Sequence, residues 1–344
     1  MVLASAFFEY GGPEVLRWAE VDDPVAGPDD VLIEVHACGL NHVDLDSRAG
    51  TSPWEFELPH VLGAEFAGVI AEVGSNVRDW KPGQVVTAEH QYSCGECSAC
   101  LGWRSDLCPN YKMIGTDTWG AYGELVQVPA RLLIELDSLD QAVAAASCFC
   151  VVSTAWHMVT KLAEVRPGEC VLVPSASGGV ASSLVQCAKL AGARVIASVG
   201  NADKVEPVRA LGADEVFVHA DTPPTEAVAE LTNGAGVDAV LDTTGGPLFD
   251  QHLKSLRQDG RLALCGAHAG ETTEIDLIDV FVRGLRILGF RVASPTDIRT
   301  ALRLVLDGTV EVPIARTFPL SEAAEAQSFL DRREHVGKVV LVRQ

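Results

Sequence analysis

The stretch Val173-Pro174-Ser175-Ala176-Ser177-Gly178-Gly179-Val180-Ala181 decides how the second half of the chain is read. It follows a short apolar run that begins at Cys170 and opens a helical pattern over about 179–191. Small residues at a strand-to-helix junction let the backbone approach a pyrophosphate, and the unpaired N–H groups and dipole of the helix N-terminus favour its negative charge. A glycine-rich turn alone is as often only a tight turn. Its surroundings give this one weight: strand patterns at 194–199, 215–218, 237–243, 261–266 and 285–292 alternate with helical ones from about 203, before 232 and at 249–256. Parallel strands need a crossover between them, so the alternation predicts a doubly wound α/β sheet with a dinucleotide at the turn. Ser177, Gly178, Gly179 and Val180 are the cofactor-binding candidates there, joined by Gly266 and Ala267 after the fifth strand.

The second strand bears on which dinucleotide. NAD-selective sites carry an Asp or Glu at its end, which binds the ribose hydroxyls and repels a 2′-phosphate. Here the chain reads Ala197-Ser198-Val199-Gly200-Asn201-Ala202, with no acid before Asp203. Ser198 and Asn201 offer hydrogen bonds and Lys204 a positive charge, so NADPH is expected over NADH. Lys204 can equally be read as a surface charge on a helix.

Before residue 130 the pattern differs. Short apolar runs broken by Gly, Pro and Asp indicate a small all-β unit. Inside it, Cys94, Cys97, Cys100 and Cys108 are spaced C-x2-C-x2-C-x7-C. Four thiolates recurring at this interval suit one tetrahedral zinc, and a site filled by protein on all four sides is structural. A disulfide cluster is the alternative, but the first residues lack the basic flank and long apolar run of a secretory signal. Domain limits of 1–130 with 294–344, and 131–293, follow from these patterns, with the zinc lobe at 94–108.

Composition narrows the partners. Of 344 residues, 26 are Lys or Arg and 47 Asp or Glu, a net charge of -21 that repels phosphate backbones and anionic lipid. Nucleic acid and membrane are therefore excluded as expected partners, and a small-molecule substrate is expected. The uncharged stretch 142–159 reads as a buried helix, and the protein as soluble and cytoplasmic.

Taken together, Gly63-Ala64-Glu65-Phe66-Ala67-Gly68, the cysteine lobe, Gly120-Ala121-Tyr122-Gly123-Glu124, Thr154-Ala155-Trp156-His157, the glycine-rich turn, Leu211-Gly212-Ala213-Asp214 and Gly337-Lys338-Val339-Val340 resemble the medium-chain zinc-type alcohol dehydrogenases and quinone reductases. The resemblance spans nearly the whole chain. It implies a GroES-like β domain for the substrate, a Rossmann domain for NAD(P), and a homodimer paired through the edge strand near 285–292. It also implies that Lys338 is the family lysine near the cofactor, unless it is a solvated surface lysine.

The departures are as informative. Catalytic zinc in such enzymes is held by a Cys, a His and a second Cys with a Glu close by. In this chain the first Cys position is Asn41, the His position is Ala64, and only Glu65 and Cys150 remain. Amide and methyl cannot replace thiolate and imidazole, so catalytic zinc is expected to be absent. A plain ketone needs a Lewis acid for its alkoxide, whereas hydride addition to an enone or quinone gives a delocalised enolate that hydrogen bonds can hold. The expectation is an NADPH-dependent reductase of enones, quinones or iminium analogues, with one structural zinc per chain. A zinc alcohol dehydrogenase using His42, Glu65 and Cys150, and a non-catalytic NADPH-binding relative, remain as alternatives. Catalytic candidates are Asn41, His42, Asp44, Cys150 and His157. Against these stand a helix-capping role for Asp44, a packing role for Cys150 and a satisfied core role for His157. Trp54 and Phe56 are read as pocket-lining or as ordinary loop packing.

Overall fold

The computed structural model describes every residue of the chain except Trp103. It divides into two compact units, one of residues 1–150, 302–307 and 313–344 and the other of 151–301 and 308–312.

The first unit is built on a seven-stranded sheet. Its order runs Leu133–Glu135, Val85–Ala88, Glu65–Val73, Asp30–Gly39, Lys338–Val342, Ile314–Pro319, with Leu125–Pro129 also paired to Asp30–Gly39. Alternation along Asp30–Gly39 buries Val31, Ile33 and Val35 in a core with Phe66, Ile70, Tyr122 and Leu341. The strand Lys338–Val342 is antiparallel to Asp30–Gly39, pairing Val340 with Gly39 and Leu341 with Cys38. That register brings the start of the last strand to the residues just after Gly39. Gly39 itself is required by a close approach, since a Cβ there would meet Ala146 O at 2.1 Å.

This unit extends to Cys150, past the expected limit at 130, because Leu133–Glu135 adds to the edge of the sheet beside Val85–Ala88. The single helix expected over 142–159 is broken. It comprises Ala142–Ala145, a wide-turned segment Phe149–Ser153, Thr154–His157 and a second wide turn Met158–Leu162. Ser147 Oγ donates back to Val143 O at the break, a bond that competes with the helical ladder. Among the described residues no single helix is long and apolar enough to cross a membrane.

The second unit has the alternating architecture that its sequence predicts. Six parallel strands stand in the order Glu215–Val218, Arg194–Val199, Cys170–Val173, Val237–Asp242, Leu256–Leu264, Arg286–Gly289, the doubly wound order in which nucleotides bind beyond the carboxyl ends of the strands. Helix Gly179–Leu190 buries Ala181, Leu184, Val185, Cys187 and Ala188, and these mostly small side chains bring its axis close to the sheet. Strand Arg286–Gly289 pairs with Leu256–Leu264 on one side. Beside it helix Leu277–Val282 leaves Leu277, Ile278, Phe281 and Val282 between 64 and 69 % exposed.

Candidate functional site

The cysteine lobe is folded as a ligand set. Cys94, Cys97, Cys100 and Cys108 hold their sulfurs within 4.8 Å of one another. Measured pairs are 3.5 Å for Cys97 and Cys100, 3.6 Å for Cys94 and Cys108, 3.9 Å for Cys97 and Cys108, and 4.0 Å for Cys94 and Cys100. Tetrahedral zinc with Zn–S bonds of about 2.3 Å puts its sulfurs about 3.8 Å apart, so the cage fits that ion. Backbone N–H groups of Glu96 and Cys97, with the Cys108 and Cys97 thiols, pull Cys94 down to about 6, while Cys97, in spite of the Cys100 N–H, is pushed up to about 11 by burial and the neighbouring thiols.

A second polar cluster lies where the first helix starts. Asn41 caps helix His42–Ala49, and its N–H donates to Asp44 Oδ2 at 2.8 Å. Glu65, at the head of strand Glu65–Val73, is 0 % exposed. Its Oε2 accepts from Cys150 N at 3.0 Å, and its Oε1 accepts from Asn41 Nδ2 at 3.0 Å. Lys338, 3 % exposed, donates to Leu40 O at 2.7 Å, to Asn41 Oδ1 at 2.8 Å and to Glu65 Oε1. The ammonium thus spends its three protons on this cluster. A buried carboxylate is tolerable only with such a partner.

Around this cluster several buried groups have displaced protonation. Burial lifts Asp44 to about 6, against the opposing pull of Asn41 N–H and of Tyr122, whose hydroxyl donates to Asp44 Oδ2 at 3.0 Å. The thiols of Cys38, Cys148 and Cys150 are pushed well up by burial, with the Glu65 charge adding to each. Cys150 therefore carries a neutral thiol, and its backbone N–H is the group that engages Glu65. His90 stacks on Phe149 at 6.0 Å, is pushed down to about 4 by burial, and has no partner for Nδ1. Ala64 contributes only a buried methyl beside Glu65. Among the described residues, the four-cysteine cage is the only group of three or more His, Cys, Asp or Glu with ligand atoms clustered so closely, and His42, Glu65 and Cys150 form no such group.

In the second unit the glycine-rich turn has the form of an anion cradle. Gly178 is extended and caps helix Gly179–Leu190, and Ser182 N is the first amide to find an intrahelical acceptor, Gly178 O at 2.8 Å. The preceding N–H groups point out of the helix end, as a phosphate requires. Ser175 is held at φ 51, and its N–H donates to Ser198 Oγ at 3.2 Å, tying the turn to the second strand. Ser198 Oγ also meets His219 Nδ1 at 3.3 Å, and the His219 ring lies over Gly200. No carboxylate stands at the end of that strand; Asn201 and Gly200 are exposed and Lys204 is buried. Gly266 is fixed by contact, since a Cβ would come 2.4 Å from Thr243 O, and Ala267 follows it in the same half-buried loop.

His157 sits with Nδ1 2.9 Å from Asp297 Oδ2 and its ring edge-on to Phe290 at 5.4 Å. Asp297, also bonded to Lys161 at 2.8 Å, is held well below the usual carboxylate range by His157, Lys161 and Ser294 in spite of its burial. In the first unit, Phe56 packs on His60 at 4.6 Å and Phe7 at 5.8 Å, while Trp54 is exposed. His42 opens the helix half-buried. Sequence reasoning gave no role to His90 or His219, which no local motif marks, and quoted Tyr122 only as part of the motif at 120–124.

Two family models cover most of the chain: the alcohol dehydrogenase GroES-like domain matches residues 27–138 and the zinc-binding dehydrogenase domain residues 179–307. A 2-haloacrylate reductase of a Burkholderia species is 31% identical over 100% of both chains. An acryloyl-coenzyme A reductase of Sulfurisphaera tokodaii is 29% identical over 96% of this chain and 97% of its own. A solved structure of an NAD-dependent alcohol dehydrogenase matches with a TM-score of 0.93 at 38% identity, covering 99% of this chain and 100% of that one.

Proposed function

The chain belongs to the medium-chain dehydrogenase/reductase superfamily, the zinc-type alcohol dehydrogenases and reductases, and from that premise we propose that it is an NADPH-dependent reductase of activated C=C bonds that works without catalytic zinc. The observation that carries the proposal is the Asn41–Glu65–Lys338 cluster, in which an amide and an ammonium engage the one carboxylate that a metal would need. One N–H of Asn41 is left to face an oxyanion. Bound NADPH supplies hydride. Addition at the β-carbon moves the C=C electrons onto the carbonyl oxygen, and that enolate is what Asn41 would stabilise by hydrogen bonding. A proton then returns to the α-carbon, with His42 the candidate donor, and the product is the saturated carbonyl compound. Quinones and iminium analogues fit the same electron flow. The names of the two reductase relatives, both acting on acrylic substrates, support this class.

Ser177 to Val180 with Gly266 and Ala267 would hold the pyrophosphate and nicotinamide ends of the cofactor. The absence of an acid from Ser198 to Ala202, and the nearness of His219 to Ser198, support NADPH. Fluorescence titration should give tighter binding of NADPH than of NADH; equal affinities would refute the preference. One zinc per chain in the four-cysteine cage belongs to the proposal, as does a cytoplasmic homodimer through Arg286–Gly289 and the apolar helix Leu277–Val282, which light scattering at micromolar concentration would check by mass.

The second reading is an alcohol dehydrogenase, favoured by the name of the 38% identical structure. Metal analysis of purified protein, with assays on an enone and on a simple secondary alcohol, separates the two. One zinc with faster enone reduction is expected; two zinc ions with faster alcohol oxidation would establish the second reading.

A further inference from the structure

We infer that Lys338 is a positioning residue of the reaction site, holding Asn41 so that one amide N–H is kept for an oxyanion. The inference rests on the reductase reading and deepens it. Asn41 is bound at both ends: Oδ1 accepts from Lys338 at 2.8 Å, and one Nδ2 hydrogen goes to Glu65 Oε1 at 3.0 Å. An ammonium on one side and a carboxylate on the other leave only one orientation for the amide, since the flipped form would set NH2 against NH3⁺. Among the described residues nothing accepts the second Nδ2 hydrogen. An amide whose oxygen is capped by a cation is also a stronger donor through its nitrogen. All three ammonium protons are committed, to Leu40 O, Asn41 Oδ1 and Glu65 Oε1, so none remains for a cofactor phosphate.

Removing Lys338 alone would strand Glu65 as a buried unpaired charge and threaten the fold. The test therefore uses the charge-neutral pair Glu65→Gln with Lys338→Met, and the conservative Lys338→Arg. Two readouts are taken on NADP⁺-loaded protein and under turnover. The first is ultraviolet titration of bound acetylacetone, whose enolate absorbs apart from its neutral form. The second is kcat and KM for an enone, with cofactor affinity measured by fluorescence.

Wild type and Lys338→Arg should lower the apparent pKa of bound acetylacetone by a unit or more. The neutral pair should fold, bind NADPH as wild type does, return that pKa to its solution value and lose about 100-fold in kcat, as loss of an oxyanion donor does. A neutral pair with wild-type kcat and enolate binding would overturn the inference, and so would weakened NADPH binding with kcat intact. Wild-type protein that stabilises the enolate yet reduces no enone would sink the reductase reading while leaving the role of Lys338 standing. Failure of wild type to shift the acetylacetone pKa would overturn the inference itself.

Discussion

The cysteine lobe and the Asn41 cluster belong to the same unit and handle charge in opposite ways. In the lobe, four sulfurs within 4.8 Å of one another leave a cage that a cation must fill, because so many thiolates cannot share that space alone. In the cluster, the buried carboxylate of Glu65 already has its cation in Lys338, and the leftover valence is an amide N–H. The lobe is a ligand set that fits an ion from solution. The cluster carries its charge covalently and is complete when the chain folds.

The largest effect that would sharpen this contrast is in the lobe. Cys97→Ser should drop zinc from one per chain toward zero and expose 94–108 to protease, measured by metal analysis and limited digestion; full zinc retention would break the assignment. Next in size, Asn41→Leu should leave the fold and NADPH affinity intact but cost roughly 10²–10³-fold in kcat on an enone. An unchanged kcat would make the cluster structural, like the lobe.

The smallest effect concerns two groups beside the cluster that titrate in opposite senses. Asp44 is raised from 3.8 to about 6, so the folded state keeps a proton that the unfolded state releases, and stability falls as pH rises through that interval. His90 is lowered from 6.5 to about 4, so the unfolded state gains the proton first, and stability falls as pH drops through its interval. Over pH 4–6 the two slopes offset each other. Asp44→Asn should leave stability rising with pH there, and His90→Phe, which keeps the stack on Phe149, should leave it falling, each by up to about 3 kcal/mol. Denaturant titrations at several pH values measure both, and variants that track wild type would show that burial does not govern these groups.

Legibility in the sequence follows the distance between partners. The strand at 215–218 and the helix from 179 are marked by their own periodicity and stand where it predicts them. The lobe is legible because its ligands are neighbours in the chain. The cluster is not: Asn41 and Glu65 could be singled out as departures from a family pattern, but nothing near Lys338 reveals that it reaches both. The helix expected over 142–159 fails at Ser147, whose hydroxyl takes a backbone carbonyl while hydrophobicity alone favours continuation. His90 carries no signal of its own, since its stack on Phe149 joins distant parts of the chain, and the motif around Tyr122 does not show that its hydroxyl reaches Asp44.

The placement of strand Lys338–Val342 between Asp30–Gly39 and Ile314–Pro319 has a consequence for biosynthesis. Glu65 and Lys338 are 273 positions apart, so at the usual pace of translation the carboxylate leaves the ribosome roughly 14–55 s before its ammonium does. Through that interval the first unit has neither the inner strand of its sheet nor a partner for its buried acid, so it cannot close until the intervening second unit has been synthesised. Vectorial order would therefore let the second unit fold first and make the site among the last parts of the nascent protein to form.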